Sequence, residues 1–216
     1  MRELQILKDR TDWLGERRKR IGGSEAASIV GLNPWLSNVE LWRIKTGRAK
    51  REDVSGSPYV QYGTKAEEHL RELFRLDFPQ YKVSYKENNL WTNKKYPFAH
   101  ASLDGWLEDE DGRFGILEIK TTTIQNPSQK LKWENRIPDN YFCQVLWYMA
   151  ILEADFAVLK AQLKWERDGN VFEVTKHYKM ERADFESDID YLMDEGGKFA
   201  LAILKDEEPP LVLPRI

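Results

Sequence analysis

The segment that most constrains the fold is RFGILEIKTTT, residues 113–123, because it places two charges inside an otherwise apolar strand pattern. Four residues of types that pack well in a sheet interior occur here: Phe114, Ile116, Leu117 and Ile119. Glu118 and Lys120 are two positions apart, so a strand presents both side chains on one face. Burying a carboxylate and an ammonium is unfavourable unless they pair or bind something. The segment therefore predicts a strand with one face beside a polar site.

The composition predicts one folded domain over residues 1–216, with helices in 1–80 and a sheet with further helices in 81–216. Of the 216 residues, 41% are apolar and 12% aromatic, which is enough for a sizeable core. The single cysteine, Cys143, excludes an internal disulfide and a clustered-cysteine metal site. The N-terminal segment has no apolar signal-peptide region, and no window reaches membrane-spanning length. We therefore expect a cytoplasmic protein that does not bind a membrane.

The charge is unevenly distributed along the chain. A net charge of −3 argues mildly against nucleic-acid binding. However, residues 17–20 are four consecutive cations, whereas acid is concentrated in EDEDGR and KDEEPP. Such segregation allows an acidic protein to present a basic groove, although a four-cation run is also typical of a solvated helix end.

Hydrophobic periodicity predicts helices at both ends of the chain and a sheet between them. The predicted helices are GGSEAASIVGLNPW with Ser24 as a candidate N-cap, SNVELWRIKTG, Pro58 to Phe78, a helix opening at Asp139, and residues 182–205. The predicted strands are YKVSY, NLW, a hairpin around Asp111-Gly112, and a pair separated by Asp168-Gly169. This order indicates an α/β or α+β sandwich. No glycine-rich phosphate loop follows a strand, which argues against a nucleotide-cofactor fold.

The register of the predicted hairpin decides whether two carboxylates meet. If the turn is centred on Asp111, Asp104 lies opposite Glu118; a turn centred between Asp111 and Gly112 places it on the other face. Facing carboxylates repel unless a cation lies between them, and Mg²⁺ or Mn²⁺ suits such ligands. Lys120 would then orient a water or stabilise charge developing on a phosphate. The alternative is a surface ion pair between Glu118 and Lys120 on a half-exposed strand.

Two further polar features have both a functional and a structural interpretation. Glu67 follows Gly63 by four residues on a predicted helix, where it is either part of a site or solvated. Gln144 and Tyr148 lie one helical turn apart in an apolar segment, so they share a face. Gln144 and Tyr148 either belong to the same polar site as Glu118 and Lys120 or form a buried hydrogen-bonded pair.

Taken in chain order, these residues resemble the motifs of the PD-(D/E)xK nuclease superfamily. The matching motifs are G-x-x-x-E (Gly63, Glu67), D (Asp104), E-x-K (Glu118, Lys120) and Q-x-x-x-Y (Gln144, Tyr148). More narrowly, the pattern resembles the phage lambda exonuclease and YqaJ-type viral recombinase branch, which also has an Arg-x-Gly…Ser-Glu segment like RIGGSEAASIVGLNPW. One departure is Leu103, where the superfamily name expects Pro.

The resemblance implies a restriction-endonuclease-like α/β (α+β) sandwich, with a mixed central sheet flanked by helices and a two-metal site. It assigns the metal ligands to Asp104, Glu118, the Ile119 carbonyl and, directly or through water, Glu67. Two Mg²⁺ ions would bind, with Mn²⁺ as a substitute. Lys120 would position the attacking water, Gln144 would steady Lys120 and that water, and Tyr148 would support them from outside the ligand shell. Arg20 and Ser24, in the N-terminal helices, would hold a terminal 5′-phosphate.

The activity implied by the resemblance is Mg²⁺-dependent 5′→3′ digestion of one strand of linear double-stranded DNA to 5′-mononucleotides. The remaining 3′ overhang would serve a single-strand annealing protein, and relatives form ring-shaped homotrimers. A phage or prophage origin, in a bacterial cytoplasm, would follow. The alternatives are a structure-directed or nicking endonuclease of the same superfamily, a non-catalytic DNA-binding protein on a decayed nuclease fold, and a metal-independent protein with solvated hairpin charges.

Overall fold

The computed structural model describes residues 1–213, in which short N-terminal elements precede a five-stranded sheet. The elements in chain order are β1 (Arg2–Ile6), α1 (Arg10–Arg18), β2 (Ile21–Gly22), α2 (Gly23–Ile29), α3 (Asn38–Lys45), α4 (Pro58–Asp77), β3 (Lys82–Ser84), β4 (Asn89–Asn93), β5 (Ala99–His100), β6 (Gly105–Glu108), β7 (Phe114–Thr123), α5 (Pro127–Leu131), α6 (Asp139–Leu152), β8 (Phe156–Arg167), β9 (Asn170–Glu181) and α7 (Glu186–Lys205). The last segment of the predicted tail, residues 214–216, lies outside the described residues.

The central sheet has the strand order β3-β6-β7-β8-β9. Strands β7 and β8 are parallel, while the other neighbours are antiparallel, so the sheet is mixed. A parallel pair needs a long crossover, which α5 and α6 supply here. Two small sheets accompany it, β1 with β4 and β2 with β5. The predicted α/β sandwich with a mixed central sheet is confirmed.

The sheet is covered on both faces. Helix α4 packs on one face through Leu70 and Phe74, which join a small apolar cluster with Leu117 and Ile119 of β7. Because side chains alternate along a strand, Ile116 points the other way, into the larger cluster built around α6. Helix α6 is buried from Cys143 to Leu152, packing between the sheet, α2 and α7. Strand β7 is therefore the centre of the molecule, which fixes where Glu118 and Lys120 lie.

Local sequence signals locate several element ends correctly. Ser37 caps α3 through a reciprocal bond pair with Glu40, and Gly47 follows the helix with a φ of 76°. Helix α2 differs from its prediction because its N-cap is Gly22, whose N–H is bound by the Glu25 carboxylate, so Ser24 lies inside the helix.

The N-terminal strand β1 and helix α1 were absent from the sequence prediction. Neither has a buried residue, so the apolar periodicity that signals a packed element is missing. Helix α1 begins instead with a polar signal: the Asp9 side chain accepts the N–H of Asp12. Within the described part of the chain, no helix combines the length and the hydrophobicity needed to cross a bilayer.

Candidate active site

The β6–β7 hairpin has the register centred on Asp111. Gly105 is paired with Leu117, so Asp104, one position earlier, lies opposite Glu118. The loop, residues 109–113, is held by the Asp109 side chain, which accepts the N–H groups of Asp111 and Arg113. The odd-numbered loop required for meeting carboxylates is therefore present, and the alternative register is wrong.

Asp104 is fixed to the neighbouring strand and to helix α4. Its Oδ2 accepts the Ile119 N–H at 2.7 Å, and its backbone carbonyl accepts a hydrogen bond from Arg71 at 2.7 Å. Arg71 also contacts Glu67 Oε1 at 3.2 Å. The Arg71 guanidinium thus links Glu67 of α4 to Asp104, the residue before β6. The carboxylates of Glu67 and Asp104 line the same cavity.

Glu118 is 2% exposed and is the most enclosed acid of the site. Its Oε1 accepts from Lys120 Nζ and from Gln144 Nε2, each at 2.6 Å. Gln144 Nε2 also donates to the Tyr148 hydroxyl at 3.0 Å. Gln144 therefore holds Glu118, whereas the resemblance placed it on Lys120 and a water.

The second carboxylate oxygen of Glu118 accepts no hydrogen bond from residues 1–213. Oε2 is buried and lacks a hydrogen-bond partner among residues 1–213. A buried carboxylate oxygen left unpaired is unfavourable, so this atom marks a position suited to a donor or a cation.

The carboxylates of the cluster disfavour one another's ionisation. Burial, followed by repulsion from Asp104, raises the pKa of Glu118 to about 8 and that of Glu67 to about 7. Burial also raises the pKa of Asp104. For Lys120, burial alone would lower the pKa, but the Glu118 and Asp104 carboxylates outweigh it and raise the value. Burial and mutual repulsion therefore favour the protonated form of these acids, although Lys120 and the Arg71 guanidinium oppose it.

The donor set fits a hard divalent ion. Carboxylate oxygens of Asp104 and Glu118, with the carbonyl of Ile119 between the motif residues, are the ligand types that Mg²⁺ and Mn²⁺ prefer. In residues 1–213, no three side chains of His, Cys, Asp or Glu are grouped closely enough to hold a metal ion. Glu67 is bound to Arg71 and does not form a three-carboxylate group with Asp104 and Glu118 in this structure.

Two cavities meet at the carboxylates. The larger, of about 730 Å³, and the smaller, of about 320 Å³, share Glu67, Asp104 and Lys120 as lining residues. The smaller cavity is also lined by Tyr59, Val60, Gly63, Ile119 and Thr121. A side chain at Gly63 would bring its Cβ to 3.0 Å from Thr121 Oγ1, so glycine permits α4 to approach β7 here.

Only one of the two residues expected to bind a 5′-phosphate lines the larger cavity. Ser24 does so, whereas Arg20 does not; its Nη1 lies 3.7 Å from Glu16 Oε2 and is buried without a hydrogen-bond partner among residues 1–213. Arg17 lines the same cavity as Ser24. Its guanidinium lies 4.0 Å from the centre of the Trp13 ring, and no carboxylate among the described residues pairs with it within 4.0 Å.

Ser102 is a second polar group that the sequence did not identify. Its hydroxyl is buried without a hydrogen-bond partner in the described range, and it lines the cavity that contains Arg17 and Ser24. Recognising Arg17 required knowing that residues 10–18 are helical, because only then do Trp13 and Arg17 lie one turn apart on one face.

Comparison with known proteins gives a family match and similar solved structures. The family model of the YqaJ-like viral recombinase domain matches residues 12–155. The uncharacterized protein YqaJ of Bacillus subtilis (strain 168) is 33% identical over 195 residues, which cover 88% of this chain. The chain spans 58% of the length of that curated relative.

Solved structures share the fold at low sequence identity. An alkaline exonuclease (LHK-Exo) from Laribacter hongkongensis superposes with a TM-score of 0.66 at 15% identity, covering 91% of this chain and 93% of that one. A phage related exonuclease from Haemophilus somnus 129PT gives 0.52 at 12% identity, covering 87% and 96%. The architecture expected from the E-x-K pattern is thus that of solved exonucleases.

Proposed function

Since this chain belongs to the YqaJ-like viral recombinase domain family, we propose that it is a metal-dependent nuclease that digests double-stranded DNA from its ends. The observation that carries the proposal is the pairing of Asp104 with Glu118 beside Lys120, in the larger cavity, which Arg17 also lines. Solved exonucleases that share the fold support it.

Mg²⁺, or Mn²⁺ in its place, would be held by Asp104, Glu118 and the Ile119 carbonyl, with Glu67 acting through water. Bound divalent ions supply a nucleophilic water and stabilise charge on the scissile phosphate. Lys120, an ammonium beside Glu118, would donate hydrogen bonds to the attacking water or to a phosphate oxygen. Gln144 and Tyr148 keep the Glu118 carboxylate in place.

The positions of the two cavities support a 5′→3′ polarity for the proposed digestion. Arg17, Ser24 and Ser102 offer a guanidinium and two hydroxyls to a terminal 5′-phosphate in the larger cavity. The next phosphodiester would then lie at the carboxylates, and the strand would continue past Tyr59 and Val60 in the smaller cavity. Cleavage there releases a 5′-mononucleotide and proceeds 5′→3′. The solved complex of LHK-Exo with dAMP, a mononucleotide, supports this product class.

The wider setting is proposed from the family. The 3′ overhang left by the reaction would be taken by a single-strand annealing protein, in the cytoplasm of a bacterial cell that carries phage or prophage genes. Assembly as a ring-shaped homotrimer would enclose the DNA and allow continuous digestion. Sedimentation velocity measures that assembly directly, and a monomer at assay concentrations would contradict the ring.

The test is digestion of linear duplex DNA with and without Mg²⁺, using wild type and Lys120→Ala. We expect wild type to degrade the strand with a 5′-phosphate only when the metal is present, and Lys120→Ala to be inactive while still unfolding in one cooperative transition. Lys179→Ala is the matched control, because Lys179 pairs with Glu181 on β9, outside both cavities. Wild-type activity in Lys120→Ala would refute the mechanism. Cutting of a covalently closed circle would identify an endonuclease.

A further inference from the structure

His100 is a buried polar residue that the proposed reaction does not use. It lies at the end of β5, is 3% exposed, and belongs neither to the carboxylate cluster nor to the cavity lining. Its imidazole nevertheless contacts Arg17, the cation of the proposed phosphate pocket.

The hydrogen bonds of His100 define one neutral tautomer. Nδ1 lies 3.2 Å from the carbonyl oxygen of Ile21, which can only accept, so Nδ1 carries the proton. Nε2 is then the acceptor for the Arg17 Nε–H, at 3.3 Å. Burial, together with the nearby cations Arg17, Lys45 and Arg20, lowers the pKa of His100 to about 3, so this tautomer stays uncharged at neutral pH.

The imidazole is closely packed against the chain segment that leads to Ser24. A Cβ on Gly22 would come to 2.5 Å from His100 Cε1, so β2 approaches the ring as only a glycine can. The Trp13 ring stacks on the Arg17 guanidinium. The Trp13 ring and the His100 imidazole therefore hold Arg17 in place. The hydrogen bond to His100 uses the Arg17 Nε, which leaves both terminal guanidinium nitrogens for a ligand.

A neutral acceptor suits this position better than a carboxylate. The nearby acid, Glu25, is occupied by Lys45 at 2.7 Å, by Arg51 at 3.1 Å and by the Gly22 N–H. A carboxylate on Arg17 would neutralise its charge and compete with an incoming phosphate. An imidazole orients the guanidinium and leaves its full charge available.

We propose that His100 is a positioning residue that aligns Arg17 for a terminal 5′-phosphate, and so sets the preference for phosphorylated DNA ends. The proposal rests on the nuclease function above. Because it concerns recognition of the end, it can be tested by binding without metal, independently of cleavage.

The binding test compares duplexes with 5′-phosphate and 5′-hydroxyl ends by fluorescence anisotropy, in the absence of metal. We expect His100→Leu to reduce the preference for the phosphate about tenfold, the order of one lost hydrogen bond to a charged group. His100→Gln should retain the preference, since its amide can accept from Arg17 and donate to Ile21. His177→Leu, which replaces a histidine packed on Phe78 on the other face of the sheet, should leave it unchanged.

A double-mutant cycle shows whether His100 acts through Arg17. In an Arg17→Ala background, His100→Leu should cause no further loss of phosphate preference. Under turnover, the effect of His100→Leu should lie in KM for the phosphorylated end and leave kcat unaffected. Additive losses, or an unchanged preference in a folded His100→Leu, would refute the proposal.

A measurement on the wild type covers the case in which His100→Leu does not fold. The ¹⁵N chemical shifts of the imidazole should report a proton on Nδ1; a proton on Nε2 would remove the acceptor and overturn the proposal. Equal binding of both ends by wild type would also overturn it, while Mg²⁺-dependent digestion in the same preparation would leave the nuclease function standing. If wild type prefers phosphorylated ends but does not digest DNA, the role of His100 stands and the proposed nuclease function fails.

Discussion

At the residue scale, the carboxylates of the proposed site should make the protein sensitive to pH in the absence of metal. Glu118 and Glu67 have pKa values of about 8 and about 7, above the 4.5 of an unperturbed glutamate. As pH rises from 4.5, the unfolded chain loses these protons first, so the folded state binds more protons and its stability falls. We expect the melting temperature in EDTA to decrease between about pH 5 and pH 8 and then level off, measured by thermal denaturation. A melting temperature that rises steadily over this range would contradict the clustering.

Asp104→Asn should stabilise the metal-free protein while abolishing cleavage. Asp104 contributes to the raised pKa values of both glutamates, and an asparagine oxygen can still accept the Ile119 N–H. Relief of roughly one pKa unit corresponds to about 1.4 kcal/mol, which is a few degrees of melting temperature for a chain of this size. The measurement is thermal denaturation at pH 8 in EDTA.

Asp109→Asn is the matched control in the same hairpin and should have the opposite sign. Burial acts to raise the pKa of Asp109, but hydrogen bonds from Arg113 outweigh it and lower the value. Loss of this charge should therefore destabilise the protein at pH 8. Destabilisation by both substitutions would show that carboxylate repulsion does not dominate at Asp104.

Metal binding should make the pH dependence of the activity change with the Mg²⁺ concentration. Ligand carboxylates must lose their protons before a divalent ion binds, so raised pKa values weaken binding at low pH. At limiting Mg²⁺ we expect activity to rise with pH up to about 8, the pKa of Glu118. At saturating Mg²⁺ the same rise should occur at lower pH. Initial rates at two metal concentrations measure this. A profile independent of Mg²⁺ concentration would place the titrating group elsewhere.

The residues of the carboxylate cluster could be placed from sequence because a strand and a hairpin obey simple periodicities. Alternation put Glu118 and Lys120 on one face, and the hairpin centre determined that Asp104 joins them. The proposed role of Arg17 could not be reached in the same way. Trp13 lies one turn from it on α1, but His100 is brought to it by tertiary packing rather than by a local pattern.

At the scale of an element, α7 contains two adjacent glycines that have different roles. A Cβ on Gly196 would lie 2.7 Å from the buried Trp147 ring of α6, whereas one on Gly197 would have its nearest neighbour, Phe98, at 3.8 Å. In a sequence, two adjacent glycines indicate only a weaker helix. The structure shows that Gly196 lets α7 approach α6, which a helical period cannot reveal.

The two glycines form a matched pair for mutation. Gly197→Ala should stabilise the protein by about 1 kcal/mol, because alanine is the better helix former and has room. Gly196→Ala gains the same propensity but forces the indole of Trp147 to move, at about 1–3 kcal/mol, so a net loss is expected. Urea denaturation of the two variants checks the difference in sign. Equal stabilisation by both would mean that the helices are not closely packed at this point.

Helix α4 is predictable from its own sequence, whereas strand β1 is not. Helix α4 was predicted from Pro58 to Phe78 and is found from Pro58 to Asp77, although Val60 and Leu73 of its apolar face are exposed. Strand β1 has no apolar alternation to identify it. It forms by pairing with β4, more than eighty residues later, so its partner rather than its own sequence determines it.

At the scale of the whole molecule, the N-terminal helices and the sheet share one core. Ala26 and Ala27 of α2 are fully buried in the cluster that surrounds α6, and a Cβ on Gly23 would come to 2.4 Å from the Tyr148 ring. The segment before residue 80 also supplies α4, which covers the opposite face of β7. Neither part buries its apolar surface without the other.

This shared core predicts a single cooperative unfolding transition for residues 1–216. Loss of α2 or α4 would expose β7 or α6 to water, so partial unfolding removes contacts that stabilise the remainder. In urea, tryptophan fluorescence and far-UV circular dichroism should give coincident transitions, because Trp42 lies in the N-terminal helices and Trp147 in α6, within the same cluster. Separate midpoints for the two probes would indicate that residues 1–80 fold as an independent unit. The proposed phosphate pocket would then be divided between the two units, because Arg17 and Ser24 lie before residue 80 and Ser102 lies after it.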